Sequence, residues 1–332
     1  MACPEFATLY TGAKMPLLGY GTWQCASGEL EEALEEALCA GYRHIDTAAA
    51  YENEAVIGKL IKERWIDTDN MTRDELFLVT KLPPVGLVPG GPEKFLKRSL
   101  AALRVDYVDV YLVHTPFGFV PIEGGDEMHP VGPDGKIPIN GDPDIVTIWK
   151  EMEALVDAGL AKAIGLSNFN QRQIQKILDV CRIRPANLQI ELHVNMQQKP
   201  LVEFCKKNDI VVTAYSPLGS RGSSTFLSRF GTKVEVPDLF NNPVILEVAA
   251  KYKKQPGQIL LKHVVQRGIA AIPKSCSQER IIQNIQLFDF TLSPEDVAKV
   301  DALDLGPDGR IFDFTFIGAQ KTDPAYPFNE YP

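Results

Sequence analysis

Three apolar runs in the chain each end in an ionisable side chain. The run RHIDTAAAY places Asp46 at its apolar end and Tyr51 five positions later, LFLVTK ends in Lys81, and DVYLVH ends in His114. Asp46, Lys81 and His114 are 35 and 33 residues apart, about the length of one strand, one helix and two short connections. This spacing is typical of successive parallel βαβ units, because a parallel crossover needs a helix.

The same alternation of strand and helix continues to the end of the chain. The pattern predicts strands at 17–22, 43–46, 76–80, 108–113, 162–166, 187–190, 210–214 and 269–273. It predicts helices at 28–40, 52–64, 92–103, 144–158, 170–180, 199–208, 243–254, 256–266 and 277–284. A short hairpin over Phe6–Tyr10 and Ala13–Leu17 precedes these units, and a further helix begins at Ser293, a favourable N-cap followed by Pro294.

Eight strand-then-helix units predict one closed (β/α)8 TIM barrel. The 332 residues are enough for two average domains, but they also suit one barrel with insertions, so we interpret residues 1–332 as a single domain. The alternative is an open, doubly wound sheet. In a barrel the C-terminal ends of the strands converge on one face, so Asp46, Tyr51, Lys81 and His114 are expected to share a pocket.

Three stretches do not fit the repeat. Residues 117–143 are rich in Gly and Pro, and residues 219–242 and 304–332 are also long and irregular. Loops of this length in a compact domain are usually functional. The first two follow predicted barrel strands, so we expect them to surround the mouth of the barrel at its C-terminal face.

Composition excludes several classes of partner. The net charge is −9 and no long basic run occurs, which argues against binding to nucleic acid or to an anionic membrane. The N-terminus lacks the basic start and apolar core of a signal peptide, and no stretch approaches 18 apolar residues. The six cysteines are scattered without a CxxC motif, as expected for reduced thiols. The sequence therefore predicts a cytoplasmic protein.

The four ionisable residues suggest carbonyl chemistry. A phenol with an ordinary pKa of about 10 is a poor acid at neutral pH. A nearby Lys81 ammonium would lower the pKa of Tyr51, and Asp46 would keep Lys81 charged and in place. His114 can hydrogen-bond a carbonyl oxygen and hold it near the phenol. The set can polarise and protonate a carbonyl oxygen, but it contains no reductant.

A dinucleotide would need an unusual binding site in this chain. The sequence has no P-loop, and Gly19-Tyr20-Gly21 lacks the third glycine of a Rossmann GxGxxG motif. Lys274 and Ser275 precede a predicted helix that carries Arg280 in its first turns. A helix N-terminus beside a Lys and an Arg is typical of an anion site, and barrels often bind phosphate in this region.

Six motifs resemble those of the aldo-keto reductases. HIDTAAAYENE, VTKL, YLVH, IGLSNF, AYSPLG and IPKS with RIIQN occur in the family's order and at similar spacing, and the likeness runs from TLYTGAKMPLLGYGTW to the terminal DPAYPFNEYP. The resemblance implies a barrel closed at its bottom by the hairpin, and reduction of aldehydes and ketones with hydride from NADPH. It also implies that Tyr51 is the proton donor, that Lys81 and Asp46 tune it, and that His114 orients the substrate.

The resemblance also assigns cofactor positions. Lys274, Ser275 and Arg280 match the residues that hold the adenosine 2′-phosphate, which implies NADPH over NADH. The other matching positions are Gly21, Thr22 and Trp23 at the end of the first strand; Ser167, Asn168 and Gln189 at the nicotinamide carboxamide; Tyr215 stacked on the nicotinamide; Ser216, Leu218 and Ser220 beside the pyrophosphate; and Gln283 and Asn284 at the adenine. From the residues alone, Ser167 and Asn168 could be turn residues and Tyr215 a core aromatic.

The substrate pocket departs from the family pattern. Thr115 and Pro83 stand where many aldose-reductase-like members carry Trp, which should widen the pocket. The predicted substrate-binding residues are Trp23, Tyr51, His114, Thr115, Phe117 and Phe312. The loop after His114 resembles insect members, some of which reduce 3-dehydroecdysteroids. We therefore expect broad aldehyde reduction, with a 3-ketosteroid or ecdysteroid as a further hypothesis.

Two other functions were compared with this interpretation. A metal-dependent hydrolase is disfavoured because the five histidines form no HxH or HExxH pair, so we expect no metal. An NADPH-binding structural or regulatory protein of the same family is the alternative, since the family includes lens crystallins and channel subunits. The absence of a coiled-coil pattern favours a monomer.

Overall fold

Eight parallel strands form one sheet whose order in space follows their order in the chain. The computed structural model describes residues 5–25, 27–122, 125, 127–233 and 235–329. Its strands are β1 (Phe6–Thr8), β2 (Lys14–Pro16), β3 (Tyr20–Gly21), β4 (His44–Asp46), β5 (Phe77–Leu82), β6 (Val108–Val113), β7 (Gly118–Phe119), β8 (Ile139–Asn140), β9 (Ala161–Ser167), β10 (Asn187–Glu191), β11 (Val211–Tyr215) and β12 (Ala270–Ala271). The large sheet has the order β3-β4-β5-β6-β9-β10-β11-β12.

The two ends of this sheet are joined by hydrogen bonds. Gly19 N donates to Ala271 O and Ala271 N donates to Leu17 O, both at 2.8 Å, and Gly21 N donates to Pro273 O at 3.2 Å. Leu18 and Ala271 form a parallel bridge. The sheet is therefore a closed barrel, as the sequence predicts. The open doubly wound alternative is wrong, because the strand order never reverses and the edges are paired.

Helices follow the barrel strands around the outside. They are α1 (Ser27–Cys39), α2 (Glu54–Leu60), α3 (Gly91–Leu103), α4 (Ile145–Asp157), α5 (Gln171–Leu178), α6 (Lys199–Lys207), α7 (Ser223–Ser228), α8 (Pro243–Tyr252), α9 (Pro256–Val265), α10 (Gln278–Ile285) and α11 (Pro294–Asp301). Ser293 caps α11 by accepting a hydrogen bond from Asp296 N, as expected. Among the described residues, no helix is long and apolar enough to cross a membrane.

Some boundaries differ from the predicted ones. The first and last barrel strands are only two residues long, because the chain around Leu18 joins the sheet through a single bridge rather than a continuous ladder. The predicted helix 52–64 is α2 followed by a π-helical turn, Ile61–Ile66. In that turn the hydrogen bonds reach one residue further than in an α-helix.

The N-terminal hairpin covers the bottom of the barrel. Strands β1 and β2 pair antiparallel, and Met15 is buried. The hairpin contacts the starts of two barrel strands, since Pro16 O lies 3.0 Å from His44 Nδ1 and Met15 Sδ lies 3.9 Å from Asn187 Nδ2. This end is opposite to the C-terminal ends of the strands, where Asp46 lies.

The three predicted loops contain short elements that the sequence pattern did not reveal. Strands β7 and β8 pair within 117–143, α7 lies within 219–242, and the tail contains 3₁₀ turns, Gly306–Gly309 and Thr315–Ile317. Positions 123, 124, 126, 234 and 330–332 of these predicted loops lie outside the described residues. The first two loops follow the C-terminal ends of β6 and β11 and lie at the mouth, as expected, and the tail, which follows α11, also contributes residues there.

One glycine sets the spacing between α2 and α3. A Cβ on Gly58 would lie 2.3 Å from Ala102 O and 2.5 Å from the Leu103 backbone. Backbone atoms of a neighbouring helix cannot move aside as a flexible side chain can. The close approach of the two helices therefore requires the absence of a side chain at this position.

We predict that Gly58→Ala destabilises the fold although alanine is the better helix former. Overpacking of this kind costs about 1–3 kcal/mol, which exceeds the gain of about 1 kcal/mol from helix propensity. Urea unfolding measures the difference. Gly28→Ala, on α1 with no atom within 4 Å of the added Cβ, is the matched control and should be neutral or stabilising; equal stability of the two variants would contradict the prediction.

Candidate active site

The four predicted catalytic residues meet at the C-terminal end of the barrel. Asp46 ends β4, Lys81 lies in β5, and His114 follows the last residue of β6. Tyr51 lies in a 3₁₀ turn, Ala49–Tyr51, directly after β4. Lys81 Nζ is 2.6 Å from Asp46 Oδ1 and 3.3 Å from Tyr51 Oη, and the Tyr51 and His114 rings lie 5.7 Å apart, edge to face.

Asp46 and Lys81 form a buried ion pair. Their side chains are 2% and 0% exposed, so each charge depends on its partners rather than on water. Lys81 Nζ also donates to Thr47 O at 2.8 Å, and Asp46 Oδ2 accepts from Gln189 Nε2 at 2.6 Å. Burial acts to lower the pKa of Lys81, but Asp46 and Tyr51 outweigh it and raise that pKa. Lys81 is therefore charged at neutral pH.

The pKa of Tyr51 differs from the direction expected from the sequence. Burial raises it above the ordinary value for a phenol, and this exceeds the lowering by the Lys81 ammonium. The Lys81 ammonium alone would lower the pKa of Tyr51, but the effect of burial in the folded chain is larger. Tyr51 is therefore protonated at neutral pH, with a cation beside the oxygen that would become a phenolate.

His114 is a neutral imidazole at neutral pH. Burial lowers its pKa well below 6.5, with further lowering by Lys81 and then His129. Its Nδ1 atom is buried and has no hydrogen-bond partner among the described residues. A neutral imidazole has one donor and one acceptor nitrogen, so His114 can offer one N–H group to a ligand in the mouth.

A network that the sequence analysis missed holds the turn with Tyr51. Asn53 Nδ2 donates to Thr22 O at 3.0 Å, and Thr47 Oγ1 donates to Asn53 Oδ1 at 3.2 Å. Thr22 Oγ1 donates to Asp46 O at 3.0 Å. These buried bonds link the ends of β3 and β4 to the residues around Tyr51. The only sequence signal was the closeness of Asn53 to Tyr51.

A large cavity opens above the four residues. Its volume is about 1520 Å³, compared with roughly 300–1,000 Å³ for most ligand pockets. It runs from Asp46, Tyr51 and His114 to Lys274 and Arg280. The other predicted residues that line it are Gly21, Thr22, Trp23, Thr115, Ser167, Asn168, Gln189, Tyr215, Ser216, Leu218, Ser220, Ser275 and Phe312.

Polar groups lie beside the four residues on one side of this cavity. Asn168 Nδ2 donates to His114 O and Tyr215 Oη donates to Asn168 Oδ1, both at 2.9 Å. Asn168 has a positive φ of 66°, a conformation that Asn tolerates better than most residues. These bonds hold the Asn168 amide and the Tyr215 ring at the wall of the cavity.

The opposite end of the cavity carries two cations and a helix start. Lys274 and Arg280 line it, and α10 begins at Gln278 between them. Ser275 Oγ accepts a hydrogen bond from Ser277 N at 3.1 Å, which orders the loop before the helix. This arrangement suits a phosphate group.

Lys81, which reaches the site through Asp46 and Tyr51, does not line the cavity itself, and three of the predicted cofactor and substrate residues also lie outside the lining. Gln283 and Asn284 are on α10; the Gln283 amide donates to Glu279, and Asn284 is 7% exposed. Phe117 is buried, with its ring 5.4 Å from Phe314. Phe117 therefore packs behind residues that line the cavity and does not line the cavity itself.

Aromatic side chains form one wall of the mouth. Trp23 lies at 5.0 Å from Phe226 and 5.4 Å from Phe312, and Phe316 lies 5.8 Å from Phe226, all as ring-centroid distances. Glu191, which the sequence analysis did not select, holds the tail in place. Its two carboxylate oxygens accept hydrogen bonds from Ile311 N at 2.7 Å and Phe312 N at 3.0 Å.

Comparisons with known proteins agree with this architecture. The sequence profile of the Aldo/keto reductase family matches residues 17–305. The chain belongs to the aldo/keto reductase family. As a member of this family the protein is an oxidoreductase, and its closed barrel is the fold that the sequence motifs implied.

Relatives match this aldo/keto reductase over nearly its whole length. Aldo-keto reductase family 1 member A1 of Gallus gallus is 45% identical over 90% of this chain and 88% of the relative. The Homo sapiens protein of the same name is 42% identical over 97% of both chains. The solved structure of the aldose reductase from Schistosoma japonicum has 37% identity and a TM-score of 0.87, and covers 98% of this chain and 99% of that one.

We predict that His114 makes the protein less stable in mild acid. Below a pH of about 6.5 the unfolded chain takes up a proton at His114, whereas the folded chain does not. The contribution of neutral His114 to the free energy of unfolding is therefore fully present above this pH and decreases as the pH is lowered further. The loss between pH 7.5 and 5.5 should be about 1 kcal/mol smaller in His114→Gln. Urea unfolding at both pH values measures this difference, and an equal loss of stability in His114→Gln and in native protein would contradict the prediction.

Proposed function

We propose that this protein reduces aldehydes and ketones to alcohols, with NADPH as the reductant and Tyr51 as the proton donor. The observation that carries the proposal is the chain of contacts from Asp46 through Lys81 to the Tyr51 hydroxyl, at the floor of a cavity that also presents His114. Membership of the aldo/keto reductase family supports the reaction class.

The residues on the floor suit protonation of a carbonyl oxygen. The raised pKa of Tyr51 keeps the phenol protonated, so the acid is ready at neutral pH. An N–H group of neutral His114 holds the carbonyl oxygen near the phenol. The alkoxide that forms on reduction is a stronger base than a phenolate, so it takes the Tyr51 proton. The Lys81 ammonium, held by Asp46, stabilises the resulting phenolate.

The cavity fits a dinucleotide together with a substrate. Bound NADPH supplies the hydride. Asn168, Ser167 and Gln189 offer polar groups near the floor, and Tyr215 offers a ring face. The backbone of Ile272 lies close to Gly21, where a Cβ would be 2.7 Å from Ile272 O. Lys274 and Arg280 would hold the 2′-phosphate, with Gln283 and Asn284 as proposed adenine contacts beyond the lining.

The shape of the mouth favours a wide range of substrates. Thr115 lines the cavity with a small side chain, and its hydroxyl donates to Phe117 O at 2.6 Å rather than facing a substrate. Pro84, the neighbour of Pro83, lines the same region. The aromatic wall of Trp23, Phe226, Phe312 and Phe316 offers an apolar surface. We infer that aldehydes and bulky ketones, including a 3-ketosteroid, fit this site.

We predict that Tyr51→Phe strongly slows NADPH consumption while binding of NADPH is retained, because only the proton donor is removed. NADPH absorbance would be followed with aromatic and aliphatic aldehydes and a 3-ketosteroid. Loss of an acid of this kind costs about 10²–10⁴-fold in rate. Tyr107→Phe, placed before β6 at the opposite end of the barrel, is the matched control and should stay active.

The outcomes separate the two functions considered for this family member. Native protein that binds NADPH but reduces none of the compounds would favour a structural or regulatory role. A fully active Tyr51→Phe protein would show that another group is the acid. Turnover of aldehydes without any turnover of the ketosteroid would remove the steroid from the substrate range.

We predict that Arg280→Met weakens NADPH binding and leaves NADH binding nearly unchanged, since only NADPH carries the 2′-phosphate. Loss of one charged hydrogen bond costs about 1.5–3 kcal/mol, or roughly a tenfold to hundredfold rise in Kd. Titration of protein fluorescence with each dinucleotide measures both constants. Lys207→Met, an exposed cation on α6, should change neither, and equal weakening of both dinucleotides by Arg280→Met would contradict the assignment.

A further inference from the structure

Two cysteines meet at the phosphate end of the cavity although they are far apart in sequence. Cys25 follows β3, and Cys276 lies in the loop between β12 and α10. Their sulfur atoms are 3.1 Å apart. A disulfide bond is about 2.05 Å long, so the two sulfurs need to approach by only ~1 Å to become bonded.

We propose that Cys25 and Cys276 form a reversible disulfide when the protein meets a peroxide, and that a dinucleotide in the cavity protects the pair. Formation of the disulfide is inferred from the contact between the two thiols. Protection by the dinucleotide rests on the proposed function, because it requires NADPH to occupy the end of the cavity that Cys276 lines.

The different exposure of the two thiols gives them different roles. Cys276 is exposed and Cys25 is 7% exposed, so an oxidant in solution reaches Cys276 first. The Cys276 thiol loses its proton and its sulfur attacks one peroxide oxygen, which breaks the O–O bond and leaves a sulfenic acid on Cys276. The hydroxide that leaves takes up the proton from the thiol and is released as water. The Cys25 sulfur then displaces the hydroxyl group of the sulfenic acid as a second water. One peroxide is thereby reduced to two waters and two thiols are oxidised to one disulfide.

The surroundings of Cys25 make its attack dependent on pH. Burial raises the pKa of Cys25 to about 12, and Cys276 and Glu29 act in the same direction while the Lys274 ammonium acts against them. Among the described residues, the Tyr20 hydroxyl, which donates to Ser275 O at 2.8 Å, is a further titratable group beside this thiol. Cys25 is thus protonated at neutral pH, and closure of the disulfide should accelerate as the pH rises from 7 to 9.

The disulfide would join two segments that already border the cofactor region. Gly21 N donates to Pro273 O at 3.2 Å. The two segments that carry Cys25 and Cys276 are therefore already in contact at residues that precede the cysteines in the sequence. Lys274, Ser275 and Cys276 are consecutive in the cavity lining. A ligand held by Lys274 therefore also covers the exposed thiol, and binding of the ligand and oxidation of the thiol oppose each other.

Mass spectrometry of the full-length protein without cofactor tests the bond directly. The protein is treated with hydrogen peroxide, its free thiols are alkylated, and it is digested with trypsin. Cleavage after Lys14, Arg43, Lys274 and Arg280 should release a linked pair of peptides, 15–43 and 275–280. Because peptide 15–43 also contains Cys39, the measurement is repeated in Cys39→Ser, where the linked pair should persist.

Serine variants of the pair give the matched comparison. Treated native protein should lose two alkylatable thiols per chain and recover both with dithiothreitol. Cys25→Ser should instead accumulate the sulfenic acid on Cys276, and Cys276→Ser should resist the oxidant at Cys25. Failure to detect the linked peptides in both native protein and Cys39→Ser would overturn the proposal.

Protection by NADPH tests the link with the cofactor. Alkylation of Cys276 by iodoacetamide should slow by about fivefold or more at saturating NADPH, in line with typical coupling between sites. Alkylation of Cys39 serves as the internal control and should not change. If NADPH binds by fluorescence titration but does not slow the reaction, protection is disproved. If NADPH does not bind at all, the proposed function fails, whereas the peptide measurement still decides whether the disulfide forms.

Discussion

The buried ion pair between Asp46 and Lys81 is the interaction on which the rest of the site depends. An ammonium and a carboxylate without access to water are costly unless each is fully partnered. Here Thr47 O and the Gln189 amide complete the hydrogen bonds. The pair places a fixed positive charge 3.3 Å from the Tyr51 hydroxyl, where it would stabilise a phenolate, as the proposed function requires.

The barrel explains how a few strand ends can build such a site. Parallel strands in sequential order direct their C-terminal ends to one face, so residues from β4, β5 and β6 become neighbours. The loops at that face then add the parts that distinguish this protein. Glu191 binds the backbone of the tail and thereby positions Phe312 at the mouth, so the substrate wall depends on a carboxylate from the barrel itself.

Closure of the barrel has a second consequence at the phosphate end. Because β3 and β12 are the ends of the sheet, the chain segments that follow them are adjacent only in the closed barrel. This adjacency brings Cys25 to Cys276 and places Gly21 against Ile272. Closure of the barrel between β3 and β12 thus creates both the proposed cofactor region and the contact between the two thiols.

The sequence by itself determined the class of fold and the three strand-end residues. Apolar runs that end in Asp46, Lys81 and His114 at regular spacing reflect local periodicity and chain order, which are visible without coordinates. The tertiary structure decided the raised pKa of Tyr51, the place of Phe117 behind the wall and the meeting of the two cysteines. These features depend on burial and on contacts between residues distant in the chain, and neither quantity is encoded in any local pattern.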